Sequence, residues 1–236
     1  MEEMIQIKEL KKNFGKLEVL KGVNCSFDKG NVVSILGPNA SGKTTLIKSI
    51  LGMVIPDSGE IIFDGKPIIG TFDYKTKLGY MSQIGRYPDH MKIGQLFEMM
   101  MDIRKINSGL DTDLIESYEL KNMYHKEMHT LSGGTRQKVS AALAFMFNPQ
   151  VLILDEPTAG LDPLASEKLK DKILEERKKG KLILITSHIL SEADEIADNV
   201  MYLFEGKVKF YKPIAQLKEE TSEEKLGKAL TKLLSV

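Results

Sequence analysis

Short apolar runs rich in β-branched residues, bounded by Gly, Asp or Asn, recur at residues 4–10, 19–27, 32–36 and 60–63, and this pattern predicts strands. Three runs, 32–36, 151–154 and 182–185, are apolar throughout but for Ser34. That is the pattern of strands buried on both faces of a parallel sheet, and helix-like segments follow each one. Residues 200–204 and 207–211 flank Glu205-Gly206, which predicts a closing hairpin. Two short helical patterns come after it. Thr221 and Glu224 have capping-box spacing ahead of Leu226, Leu230 and Leu233, so an amphipathic C-terminal helix is expected there.

Between about residues 85 and 149 the strand runs vanish, and 93–104, 113–123 and 134–147 carry helical spacing. The expected fold class is therefore α/β, with a β-rich beginning and a helical insertion. The expected organisation is one domain over 1–236, whose core is formed by 1–85 and 150–236 and whose helical part is 86–149. No internal repeat or low-complexity tract interrupts it.

Lys plus Arg number 33 and Asp plus Glu 33, so the formal net charge is zero and no broad nucleic-acid-binding surface is expected. At 42% hydrophobic and 28% charged, the composition is that of a globular protein rather than a disordered one. Cys25 is the single cysteine, which excludes an internal disulfide and a cysteine metal cluster within one chain and fits a reducing cytoplasm. No apolar run approaches the roughly 18–20 residues a membrane helix needs. Residues 1–10 are charged throughout, without the apolar segment of a secretory leader, so none is expected. A role at a membrane would have to come through a partner.

The strand at 32–36 runs into Gly37-Pro38-Asn39-Ala40-Ser41-Gly42-Lys43-Thr44, the full phosphate-loop pattern, with Thr45 and a helix after it. Glycines there let backbone N–H groups converge on a polyphosphate at a helix N-terminus, whose dipole favours negative charge. Lys43 is expected to neutralise the β- and γ-phosphates and Thr44 to ligate Mg²⁺. The strand at 151–154 ends in Asp155-Glu156, at the edge where open α/β sheets bind ligands. Asp155 can hold the magnesium ion and Glu156 can orient or deprotonate the attacking water. Leu131-Ser132-Gly133-Gly134-Thr135-Arg136-Gln137 opens a further helix, either as a plain cap or as a second anion-binding N-terminus. One ATP does not need two such sites in its own chain, so the second suggests two chains meeting around each nucleotide.

With these residues in this order, the sequence resembles an ATP-binding cassette (ABC) transporter ATPase over nearly its whole length. The resemblance implies a P-loop NTPase core with an antiparallel β subdomain and an inserted α-helical subdomain. It places the glutamine loop at Gln83, which would reach the metal ion. The signature falls at Ser132 through Gln137, with Ser132, Gly133 and Gly134 binding phosphate, the dimer loop at Ala159-Gly160-Leu161-Asp162, and the switch histidine, facing the γ-phosphate, at His188. Phe14 would stack on adenine, although it could instead pack under the first sheet; His188 alone would read as a helix cap after Ser187. Thr135 stands where the family most often has Gln, and Phe14 where Tyr is usual; neither change removes the chemistry.

By that resemblance the chain hydrolyses ATP with Mg²⁺ and closes head to tail with a second copy of itself or a related cassette. It would power a separate integral membrane permease, associating peripherally with the cytoplasmic face of the cell membrane, and export is the expected direction. Tyr87, Met91, Phe97, Met99, Met100, Met101 and Ile103 offer more large apolar groups than one short helix buries, so part of them would be core and part a groove for the permease. Ile84-Gly85-Arg86-Tyr87-Pro88 and the terminal helix resemble cassettes of nitrous oxide reductase copper-site maturation. Action on a soluble assembly such as the ribosome is disfavoured by the single phosphate loop and single signature. A kinase-type phosphoryl transfer leaves the signature and His188 unexplained.

Overall fold

The computed structural model describes residues 2–234. Strands β1 (Glu3–Phe14), β2 (Leu17–Asp28) and β3 (Val32–Leu36) lead into helix α1 (Lys43–Ile50), followed by β4 (Ser58–Phe63), β5 (Lys66–Pro67) and β6 (Leu78–Met81). Helices α2 (Ile93–Arg104), α3 (Asp113–Ser117) and α4 (Gly133–Phe145) precede β7 (Val151–Asp155). The chain then runs through α5 (Pro163–Lys178), β8 (Leu182–Thr186), α6 (Leu190–Ile196), β9 (Asn199–Phe204), β10 (Lys207–Pro213), α7 (Ile214–Thr221) and α8 (Leu226–Leu234).

Two sheets result. One is antiparallel, ordered β2-β1-β4-β5; the other is ordered β10-β9-β3-β8-β7-β6, with β9, β3, β8, β7 and β6 parallel and β10 antiparallel at the edge. The alternation along the central strands explains their continuous apolarity. Val33, Ile35, Val151, Ile153, Leu182 and Leu184 share one core with Leu10, Leu20 and Phe27 of the antiparallel sheet. Val32, Leu152, Leu154, Ile183 and Ile185 share the other with Phe97, Phe145, Leu169 and Ile173 of the helices. A strand sandwiched in this way has no solvent face, and even Ser34 of β3 is buried.

Edge strand β6 is not among the runs that predict strands, because it is short and carries a glycine. That glycine is required, since a Cβ on Gly79 would stand 2.1 Å from the Ala144 carbonyl of α4. The hairpin at Glu205-Gly206 forms as expected, with φ of 47° and 79° at the two turn residues, the mirror-image turn that matches strand twist.

Two expectations are corrected. The helix expected over 113–123 is interrupted: α3 ends at Ser117, Glu119 adopts φ 53°, and a 3-10 turn, Leu120–Met123, follows. Packing decides this, because the break lets Leu114, Ile115, Tyr118 and Leu120 all enter the same core. The capping box at Thr221 and Glu224 does not form either. Thr221 belongs to α7 and donates its hydroxyl to the Leu217 carbonyl, while the Leu226 N–H at the start of α8 is accepted by Asp194 Oδ2 at 3.0 Å. The cap of α8 is thus tertiary, supplied from α6.

Candidate active site

Four parallel strands, adjacent in the order β3-β8-β7-β6, end at the same edge of the large sheet. The segments that leave those ends carry the phosphate loop, His188, Asp155-Glu156 and Gln83. Side chains far apart in sequence are brought together by this alignment at the position where open α/β sheets bind ligands. A cleft of about 310 Å³ there is lined by Asn39, Ala40, Ser41, Gly42, Lys43, Thr44, Thr45, Gln83, Asp155, Glu156 and His188, with Leu17, Val19 and Thr186 beside them.

The loop is shaped by backbone that only small residues tolerate. Gly37 has φ 149°, and a Cβ on it would meet the Leu203 carbonyl at 2.0 Å; Gly42 has φ 106° and would press Leu20 Cδ2 at 2.9 Å. Gly42 is also the N-cap of α1, where no side chain caps the helix and no acidic residue stands in the first turn. The first N–H groups of α1 are therefore left open, the arrangement that suits an anion. Ser41 Oγ is buried without a hydrogen-bond partner among the described residues, so its donor is free for a ligand oxygen. Lys43 Nζ donates to the carbonyls of Gly37 and Pro38 at 2.7 and 2.9 Å, which is where those two residues contribute. Burial pushes its ammonium below the ordinary pKa, and the carboxylates of Glu156 and Asp155 oppose that shift.

On the opposite wall, the Thr186 hydroxyl donates to Asp155 Oδ1, with which it is in register across β7 and β8. The same Thr186 Oγ accepts the Glu156 N–H at 3.2 Å, and its backbone carbonyl accepts that N–H at 3.0 Å. Glu156 sits at φ 49°, an unusual conformation for a non-glycine residue that costs on the order of 1–3 kcal/mol and recurs at functional sites. Its Oε1 lies 2.8 Å from His188 Nε2. Thr44, Gln83 and Asp155 present only oxygen ligands suited to a hard cation, and this donor set fits Mg²⁺.

Thr186 is a cleft residue that sequence reasoning missed. It ends an apolar strand and carries no motif signal; only its register against Asp155 reveals it. His188 is not a helix cap, since the N-cap of α6 is Ile189. Phe14 pairs with the cleft-lining Leu17 across the β1–β2 turn, is 51% exposed, and has Lys12 Nζ 5.4 Å from its ring centre. That exposure rules out packing beneath the first sheet, although Phe14 itself does not line the cleft.

Ser132, Gly133 and Gly134 lie outside the cleft. Ser132 is the N-cap of α4, its Oγ accepting the Thr135 N–H at 3.2 Å. A Cβ on Gly134 would stand 2.7 Å from the Gly160 carbonyl, so the signature and the loop 159–162 fit together only because this residue is glycine. Asp162 caps α5 through the Ala165 N–H at 2.9 Å and pairs with Lys138 of α4 at 2.6 Å, fastening the two helix starts.

Known proteins agree with this geometry. The family model described as ABC transporter matches residues 20–159. The lantibiotic transport ATP-binding protein SrtF of Streptococcus pyogenes is 32% identical over 205 residues, covering 87% of this chain and 89% of that protein. The xylose/arabinose import ATP-binding protein XylG of Sulfolobus acidocaldarius is 32% identical over 98% of this chain and 95% of its own length. The Nod factor export ATP-binding protein I of Burkholderia lata is 32% identical over 86% of this chain and 68% of that protein. Among solved structures, an ATP-binding subunit of an ABC transporter aligns over 98% of this chain and 99% of its own, with a TM-score of 0.91 and 26% identity. An ATP-binding cassette of an ABC transporter in its ADP conformation aligns over 98% of this chain and 99% of its own, at 0.77 and 25%. The fold, the loop that cradles phosphate and these relatives together place the chain in the ABC transporter family, as one of its ATP-hydrolysing cassettes.

Proposed function

We propose that this chain is the ATPase subunit of a transporter, powering a separate membrane permease from the cytoplasmic face by closing head to tail with a second cassette, its own copy or a related one. The observation that carries this reading is the division of anion-ready groups. Lys43, Thr44, Gln83, Asp155, Glu156 and His188 surround one cleft, while the capped helix start at Ser132, Gly133 and Gly134 lies outside it. A second chain brings its own Ser132 segment to that cleft and completes the nucleotide site.

In this reading the N–H groups of the loop 37–44 and Lys43 bind the β- and γ-phosphates, and Phe14, beside the cleft wall, stacks on adenine. Thr44, Gln83 and Asp155 would hold Mg²⁺, which when bound neutralises phosphate charge. Glu156 orients the attacking water and accepts its proton, while His188, hydrogen-bonded to Glu156, faces the γ-phosphate. Nucleotide shared by both chains favours the closed pair, and loss of the γ-phosphate releases it.

The permease contact is assigned to the helical segment. There Tyr87, Met91, Met99 and Met101 are only partly buried against the core, and Ile84 and Ile103 are 65% and 66% exposed. No helix among the described residues is long and apolar enough to cross a membrane. Export is the assigned direction, supported by the likeness to the Nod factor export protein. Import relatives of similar identity make ATP-driven flux in membrane vesicles the deciding assay. The narrower likeness to nitrous oxide reductase maturation draws no support from relatives whose names span lantibiotic, sugar and Nod factor transport, and no cargo is assigned.

The test is Glu156→Gln. Removing the base lowers turnover by about 10²- to 10⁴-fold. The variant is expected to elute as a dimer with Mg-ATP and as a monomer with Mg-ADP. A variant that hydrolyses normally and stays monomeric at saturating Mg-ATP overturns the reading.

A further inference from the structure

Away from the cleft, the segments 89–94 and 124–129 run side by side. The Ile93 N–H donates to the Lys126 carbonyl at 3.0 Å, the Met128 N–H to Met91 at 2.9 Å and the His129 N–H to Asp89 at 3.0 Å, with an antiparallel bridge between Lys92 and Glu127. Along the second segment burial alternates: Met128 is 1% exposed and packs in the core, whereas Glu127 and His129 on either side of it reach the surface. Glu127 caps the 3-10 turn Met128–Thr130, and its carboxylate and the His129 ring come together on that surface. His90, on the neighbouring segment, joins them.

The resulting group is compact. His129 Nδ1 lies 3.3 Å and His90 Nδ1 3.8 Å from Glu127 Oε2, the imidazole centres are 5.5 Å apart, and ligand atoms from all three residues fall within 4.8 Å of one another. Metal–ligand bonds of about 2.0–2.1 Å at a tetrahedral angle place ligand atoms about 3.3 Å apart, so small side-chain rotations close the set. Two imidazoles and one carboxylate suit a borderline first-row cation rather than Mg²⁺ or Ca²⁺, and the exposure of His90 leaves a further position for water.

The geometry points to a divalent transition-metal site formed by His90, Glu127 and His129, with Zn²⁺ as its representative ion, tying the segment before α2 to the segment before Ser132. Gln83 lies upstream of the first and the signature downstream of the second, so a bound ion braces the two stretches against each other. This assignment stands independently of the transport reading.

The experiment is calorimetric titration of the full chain with Zn²⁺ alone, repeated on His90→Ala, His129→Ala and Glu127→Gln, with Co²⁺ absorption as a report of tetrahedral coordination. The expected result is one ion per chain, a tetrahedral Co²⁺ spectrum, and affinity reduced by about tenfold or more in each variant. The three side chains are partly to fully exposed, so the variants are expected to keep the wild-type unfolding midpoint in the absence of metal. Absence of binding to the wild-type chain overturns the proposal. Binding unchanged in the variants does so too, because it would put the ion elsewhere, as at Glu156 and His188.

Discussion

Thr186→Val tests the part of the site that no motif reveals. Valine keeps the branched shape of a side chain that is 2% exposed but removes the hydroxyl that donates to Asp155 and accepts the Glu156 N–H. The Glu156 N–H keeps the Thr186 carbonyl at 3.0 Å, so the larger loss falls on the Asp155 carboxylate. A hydrogen bond to a charged group is worth about 1.5–3 kcal/mol. If that energy holds Asp155 in its working position, the corresponding loss in kcat is about ten- to a hundredfold, at about 1.4 kcal/mol per tenfold. Lys43 and the loop N–H groups are untouched, so the KM for ATP is expected to change little. Steady-state phosphate release at varied ATP and Mg²⁺ separates these effects, and Thr186→Ser, which restores the hydroxyl, is expected to recover most of the rate. Wild-type kcat in Thr186→Val, or failure of the serine to rescue, refutes a positioning role.

Two further outcomes follow from the packing. Asp194→Ala removes the acceptor of the Leu226 N–H and the partner of Lys218, and is expected to cost about 1 kcal/mol, read as faster amide exchange confined to α8. Glu176 is fully buried; burial pushes its pKa up, but Lys179 and Lys181, with Lys172, outweigh burial and hold it below the ordinary 4.5. Its depressed folded pKa means that its contribution to stability is complete above about pH 4.5 and is lost as pH falls through the lower folded value. Glu176→Gln is expected to lower stability at pH 7 by about 1–3 kcal/mol and to flatten the acid limb of denaturant unfolding measured across pH, because Lys181 pairs with no other carboxylate among the described residues, whereas Lys172 and Lys179 keep theirs.

What the sequence alone determined is what short stretches of chain encode. The phosphate loop at 37–44 is contiguous, so its strand, glycines, lysine and following helix can be read without knowing anything distant. The runs 151–154 and 182–185 announce two-sided burial because a solvent face would have left polar residues in them. Helix α2 forms over the residues its spacing predicts, since its apolar stripe at Ile93, Leu96 and Phe97 has a single face to bury. Tertiary structure decided the rest through contacts that local periodicity does not carry. Strand order set Gln83, Asp155 and His188 around one cleft, and register set Thr186 against Asp155. Core packing broke the helix expected over 113–123, and a carboxylate on α6 capped α8 in place of the predicted Thr221 and Glu224 pair. Strand pairing across a crossover and a cap from another helix both depend on which surfaces meet, and that is settled only when the whole apolar surface is buried together.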